Sequence, residues 1–144
     1  MSRSPRPSKY HGDEDDPRYP SPRFLRSIGA VVVDVAVHGG IAFAVGSSGT
    51  PGIVTGALAV AAYLVASFVN TTLVQWVLRA SVGKALFGLA VIRGKDGGRP
   101  TFGNLLVWYF LRGINLALEN SSDGYQQVVA VRRRDIRRPA QLAT

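Results

Sequence analysis

The 144-residue chain contains no cysteine, which excludes disulfides, thiolate chemistry and zinc held through sulfur, and gives no sign of redox compartment. Charge is missing from its middle as well. Between Ser27 and Leu78 the only Asp, Glu, Lys or Arg is Asp34, and all 17 lysines and arginines lie outside that stretch. There is no nucleophile–base constellation, no metal-ligand cluster and no cofactor loop, so the expectation is a protein that is not an enzyme and carries neither metal nor cofactor.

What is present is a chain of apolar blocks alternating with very basic ones. A charged fraction of 18% and a mean hydropathy of +0.13 are ordinary averages that hide this segregation. It suits a bilayer better than an aqueous core. The length allows one small unit. A formal net charge of +8 calls for an anionic partner, and basic residues flanking apolar spans favour membrane lipids over nucleic acid.

Residues 1–22 are rich in Ser, Pro, Arg and acids, including the run Asp13-Glu14-Asp15-Asp16, and are read as a disordered N-terminal tail. The first apolar segment, about 27–46, is long enough to cross a hydrocarbon core about 30 Å thick. A signal peptide is the competing reading, with Arg23 and Arg26 before the segment and Ala42-Phe43-Ala44 resembling a cleavage site. Against it stand the long region before the segment, Asp34 within it and a second apolar segment directly after. The uncharged link Ser47-Ser48-Gly49-Thr50-Pro51-Gly52 is made of turn formers. It closes a hairpin with the second segment, about 52–78, whose last third carries Asn70, Thr71, Thr72 and Gln75, with Trp76 as an interfacial anchor. Asn70-Thr71-Thr72 also fits the glycosylation pattern, which an embedded or cytoplasmic position sets aside.

The first loop has no Lys or Arg, whereas Arg23 and Arg26 precede the hairpin and Arg79 and Lys84 follow it. The positive-inside rule then places both termini in the cytoplasm of a multi-pass inner-membrane protein. A third apolar segment, about 102–118, is read as an interfacial or re-entrant helix. A full crossing would export Arg132, Arg133, Arg134, Arg137 and Arg138. It would also set Arg112 inside the bilayer, costing roughly 2.5 to 3.5 kcal/mol. At 100° per residue Asn104, Trp108, Arg112, Asn115 and Glu119 share one side of this amphipathic helix. Two Val-rich runs, 88–93 and 127–132, read as strands that pair in a small β-ribbon, with Lys95-Asp96-Gly97-Gly98 as a tight turn after the first. The expected class is therefore a mainly α membrane protein: a two-helix transmembrane hairpin, a cytoplasmic interfacial or re-entrant helix and a short ribbon. A basic tail, 134–144, ends it.

The most distinctive local sequence is Ser81-Val82-Gly83-Lys84-Ala85-Leu86-Phe87-Gly88-Leu89-Ala90-Val91-Ile92, read as a membrane-proximal elbow. Gly83 and Gly88 would allow close packing, Lys84 would reach phosphate headgroups, and Leu86 and Phe87 would dip into the interface. A nucleotide-binding loop is ruled out because the glycine required upstream of Gly83-Lys84 is absent.

On these residues the segment from about Arg23 to Arg133 resembles the RDD family of bacterial membrane proteins. The family places an arginine before the first span, an aspartate within it, and a Thr-x-Gly-Lys-x-x-x-Gly-x-x-Val-Val elbow after the second. Arg26 or Arg23, Asp34, and the elbow with Ser81 in place of threonine are similar, as is Asp123 before Val128-Val129. The Arg26 to Asp34 spacing is about one residue longer than usual, and Ser122 stands where the family often has histidine. The resemblance implies a fold more than an activity. Some members are implicated in cation and proton exchange, and small actinobacterial ones accompany Mce-type lipid importers.

Asp34 and His38 lie one helical turn apart and share a face. Two roles are open: a structural lock in which Asp34 pairs with Arg26 or Arg112, and a proton or cation site. Asp123 joins the same candidate group. On the opposite side lie Ala36, Gly40 and Ala44, and the second segment offers Gly52, Gly56, Ala57 and Ala61. These small-xxx-small rows would pack the hairpin and leave surface for other subunits. The expected function is a noncatalytic accessory subunit of a membrane transport complex, with other integral membrane transport subunits as partners and Mce-type lipid import as the specific case. The alternative is a self-oligomerising proton or cation transporter using Asp34 and His38.

Overall fold

The computed structural model describes residues 11, 12, 16, 18–115 and 128–136, with the backbone alone from 112 to 115. Asp123, residues 116–118 of the third apolar segment and residues 137–144 of the basic tail lie outside the described residues.

Helix α1, Phe24–Ser47, has 24 residues and so a length of about 36 Å. Its last turn is closed by the Ser47 hydroxyl, which donates to the Phe43 carbonyl at 2.8 Å. After a short turn, in which the Thr55 hydroxyl donates to the Thr50 carbonyl at 2.7 Å, α2 covers Ile53–Phe68. The same rod continues through a π-helical turn, Val69–Val74, into α3, Gln75–Leu78. Both rods are long and apolar enough to cross a membrane, and little of either is buried.

The seam between them pairs Gly46 with Ala59, His38 with Tyr63 and Asp34 with Asn70. Partners that descend on one rod as they ascend on the other make the pair antiparallel. Along α1 the seam follows Asp34, His38 and Gly46, an i, i+4 row. This corrects the placing of the small residues. Ala36, Gly40 and Ala44 stand about 200° around α1 from that row, and they are exposed, as are Gly52 and Gly56. A Cβ built on Gly40, Gly52 or Gly56 meets nothing within 4 Å. The hairpin is held by its polar row, and the small rows face outward.

Arg79, in the left-handed region at φ 57°, ends α3, and Arg99 Nη2 donates to the exposed carbonyls of Trp76 and Val77 at 3.1 and 2.8 Å. A cation at a helix C-terminus satisfies those acceptors and opposes the dipole. The short α4, Val82–Leu86, follows. Gly88, at φ 66°, then turns the chain into β1, Leu89–Arg93.

Strand β1 pairs antiparallel with β2, Val128–Arg132, in the register Leu89↔Arg132 through Arg93↔Val128. The two faces of this ribbon are covered by different elements. Val91 and Val128 pack on Leu105 and Trp108 of α5, Phe102–Asn115. Ile92 and Val131 pack on Tyr19, with Val129 and Ile136 beside them. Residues 1–22 read as a disordered tail, yet Tyr19 is only 8% exposed. A four-residue α6, Arg133–Ile136, follows β2 and is closed by an Arg132–Asp135 ion pair of 2.8 Å.

Helix α5 begins beside Trp76, whose ring meets Phe102 edge-on at 6.0 Å, and climbs back along the second rod. Tyr109 meets the Phe68 ring at 5.4 Å, and its hydroxyl donates to the Leu64 carbonyl at 3.4 Å. Strand β2 ends at the elbow, where the Arg133 amide donates to the Gly88 carbonyl at 2.8 Å.

Candidate functional site: a carboxylate that ties the elbow to the hairpin

The site assembles around Asp34, the one carboxylate of the long helices. Its Oδ2 accepts from the Ser81 hydroxyl at 2.6 Å. Its Oδ1 accepts from the Gly83 amide at 2.8 Å and from Asn70 Nδ2 at 2.7 Å. Asn70 is held the right way round, because its Oδ1 accepts from the Val82 amide at 2.9 Å. The Ser81 hydroxyl is also the N-cap of α4, accepting from the Lys84 amide at 3.4 Å. The start of α4 thus spends its orphan amides on one carboxylate, one amide oxygen and one hydroxyl, and among the described residues the half-buried carboxylate is met by neutral donors.

His38 is 3% exposed. Its Nε2 lies 3.0 Å from Asn70 Nδ2. Asn70 is the donor there, so Nε2 presents a lone pair and the ring proton sits on Nδ1. The ring stands edge-on to Tyr63 at 5.7 Å.

Why the elbow can approach this closely is written in two glycines. A Cβ on Gly83 would collide with the Ala30 carbonyl oxygen and lie 3.0 Å from Asp34 Cγ. A Cβ on Gly29 would enter the Phe87 ring. Phe87 therefore packs on α1, whereas Leu86 is 70% exposed. Gly88 has another role from that expected: nothing lies within 4 Å of its Cβ position, and its left-handed φ makes the turn. Lys84 likewise differs from a headgroup ligand. Its Nζ donates to Gln75 Oε1 at 2.8 Å and lies 5.1 Å from the Trp108 ring centre, a cation–π distance.

Of the two arginines expected beside Asp34, Arg26 is elsewhere. Arg26 is exposed, two helical turns before it, and within no ion-pair distance of it; the side chain of Arg112, like all of Asp123, lies outside the described residues. Sequence reasoning missed Asn70, set aside as a glycosylation pattern, and the inward role of Gln75. The signal was present: Asn70, Thr72 and Gln75 are polar residues close together near the end of a mostly apolar rod. The π-helical turn inserts the extra residue that lets all three point inward, at 5%, 0% and 0% exposure. Thr72 Oγ1 and Gln75 Nε2 are buried with no hydrogen-bond partner. Among the described residues no group of three His, Cys, Asp or Glu is placed to hold a metal ion.

Two helices long and apolar enough to cross a membrane, together with the family match of residues 22–124, point to a membrane protein. Residues 22–124 match the RDD family, and the chain belongs to it. No curated protein and no solved structure matches the chain.

Proposed function

We propose that this protein is a noncatalytic accessory subunit of a membrane transport assembly, anchored by a two-pass hairpin in the inner membrane with both termini in the cytoplasm. The observation that carries the reading is the engagement of Asp34. Three donors occupy three of the roughly four acceptor positions of its two oxygens, and two of them come from Ser81 and Gly83 at the start of α4, so a cation bound there would compete with that helix. That favours a joint over an ion pathway. The outward small-residue rows of both rods support docking in the bilayer, since such rows let helices approach closely. The finer expectation of a lipid importer of the Mce type rests on the family resemblance alone and names the first partner to seek.

In the same reading α5 is re-entrant. It enters beside Trp76, reaches the depth of Leu64 and Phe68, and leads to a strand back at the elbow. A reporter fused after Thr144 is expected to read cytoplasmic; an external reading ends the two-pass topology.

The decisive experiment is purification from the native host in mild detergent. Other transport subunits at fixed stoichiometry are expected. Isolation only as a homo-oligomer, with cation flux in reconstituted vesicles abolished by Asp34→Asn, would replace the accessory reading with the transporter.

A further inference from the structure

One amide side chain of the second rod, Asn70, links His38 to the elbow, and its orientation is forced. Asn70 Oδ1 accepts from the Val82 amide at 2.9 Å, and a backbone N–H can only donate. The other end of the side chain is therefore its NH2 group. Its two hydrogens serve Asp34 Oδ1 at 2.7 Å and His38 Nε2 at 3.0 Å. The line of bonds from the ring through Asn70 to the start of α4 closes only while the imidazole is neutral and Nε2 keeps its lone pair.

A proton on Nε2 would set donor against donor. The amide has no remedy in turning over, because its NH2 would then meet the Val82 N–H and its carbonyl oxygen would face the Asp34 carboxylate. Asn70 is 5% exposed and His38 3%, and a buried group that loses its partner bears the full cost of desolvation. Two titratable groups face the ring. Asp34, one turn away on the same helix, shares the Asn70 NH2 with it, and Tyr63 of the second rod stands edge-on at 5.7 Å. The cation of α4, Lys84, donates to Gln75 Oε1 and lies over the Trp108 ring. An imidazolium that turned to the Asp34 carboxylate would displace Asn70 from it, so either form of relief draws Asn70 away from the elbow.

We propose that His38 is a proton-operated catch on the elbow. Neutral, it holds Asn70 in the one orientation that also engages α4; protonated, it frees the Val82 and Gly83 amides from the hairpin. The inference rests on the reading of Asp34 as a joint and adds how that joint is regulated.

The test is hydrogen exchange at the Val82 and Gly83 amides of the full-length protein in mild detergent, expressed as protection relative to the intrinsic rate at each pH. The His38 ring is followed by nitrogen NMR in the same samples. In the wild type, protection at both amides is expected to fall about tenfold or more, roughly the worth of one hydrogen bond, with the midpoint at which the ring takes up its second proton. His38→Gln, whose side-chain carbonyl accepts from Asn70 at any pH, is expected to keep its protection over that range. Wild-type protection that does not follow the ring, or a loss that persists in folded His38→Gln, overturns the proposal. If that variant fails to fold, the coincidence of the two wild-type midpoints decides. The joint is tested apart from the catch: Asp34→Asn with undiminished protection at neutral pH removes both, whereas loss of protection in Asp34→Asn beside a pH-indifferent wild type removes the catch alone.

Discussion

The hydroxyl of Ser81 donates to Oδ2 of Asp34 at 2.6 Å across 47 positions of sequence. With the Gly83 amide on Oδ1, this bond makes the elbow an extension of the first long helix and not merely the end of the second. This carboxylate is one of the points at which the first rod is tied to the elbow that leads into the ribbon.

Asp34→Asn keeps the shape but weakens the charge-assisted bonds and turns an NH2 toward donors. The expected loss is about 2–4 kcal/mol, against about 1–2 kcal/mol for Ser81→Ala, which removes a cap and one bond. Tryptophan fluorescence during thermal unfolding in detergent measures both. An unchanged midpoint for Asp34→Asn would contradict the lock.

Glycines that look equivalent on paper are expected to behave oppositely. Gly83→Ala drives a methyl into the Ala30 carbonyl and should cost about 2 kcal/mol or more. Gly56→Ala meets nothing within 4 Å and should stay within about 1 kcal/mol of the wild type, helped by helix propensity. The comparison is made by the same unfolding measurement.

Phe87 and Gly29 should be energetically coupled, because the ring occupies the space where a Cβ on Gly29 would sit. Gly29→Ala and Phe87→Leu are each expected to destabilise. The double variant should be less damaged than their sum by about 0.5–3 kcal/mol. Strict additivity would mean that the contact carries no energy.

The segment on the ribbon should loosen in acid. Burial pushes the Asp16 carboxyl up, but hydrogen bonds from the Arg18 amide, the His11 ring and the Tyr19 and Gly12 backbone outweigh it and leave the group below the ordinary aspartate range. A depressed folded-state value means stability present above the ordinary range and lost as pH falls through the lowered value. Hydrogen exchange at the His11 and Gly12 amides is expected to accelerate there, and Asp16→Asn to abolish the pH dependence. Exchange indifferent to pH in the wild type would refute it.

The two long helices were legible because a run without charge has few alternatives to burial in lipid. Their ends at Phe24–Ser47 and Ile53–Leu78 lie close to the apolar runs 27–46 and 52–78. The environment of Asp34 was less legible. A carboxylate in an apolar helix suggests an arginine, but a backbone amide, an asparagine and a hydroxyl serve as well, and a backbone amide carries no mark in sequence. Gly83 shows the same asymmetry: its identity signals closeness, not what it approaches. The π-helical turn at Val69–Val74 has no composition cue of its own, so the inward direction of Gln75 could not be counted from a regular 3.6-residue period. Tyr19 was hidden by its polar neighbours.

The antiparallel pairing of β1 with β2 also fixes an order in time. Leu89 is made 39 residues before its ribbon partners begin at Val128, about 2–8 s earlier at ordinary rates of synthesis. Until then β1 lacks its ribbon partner and presents open main-chain donors and acceptors, the kind of edge that recruits other strands. A chain whose synthesis stops short of Val128 carries that edge permanently, so arrival of the second strand marks a finished molecule as distinct from a fragment.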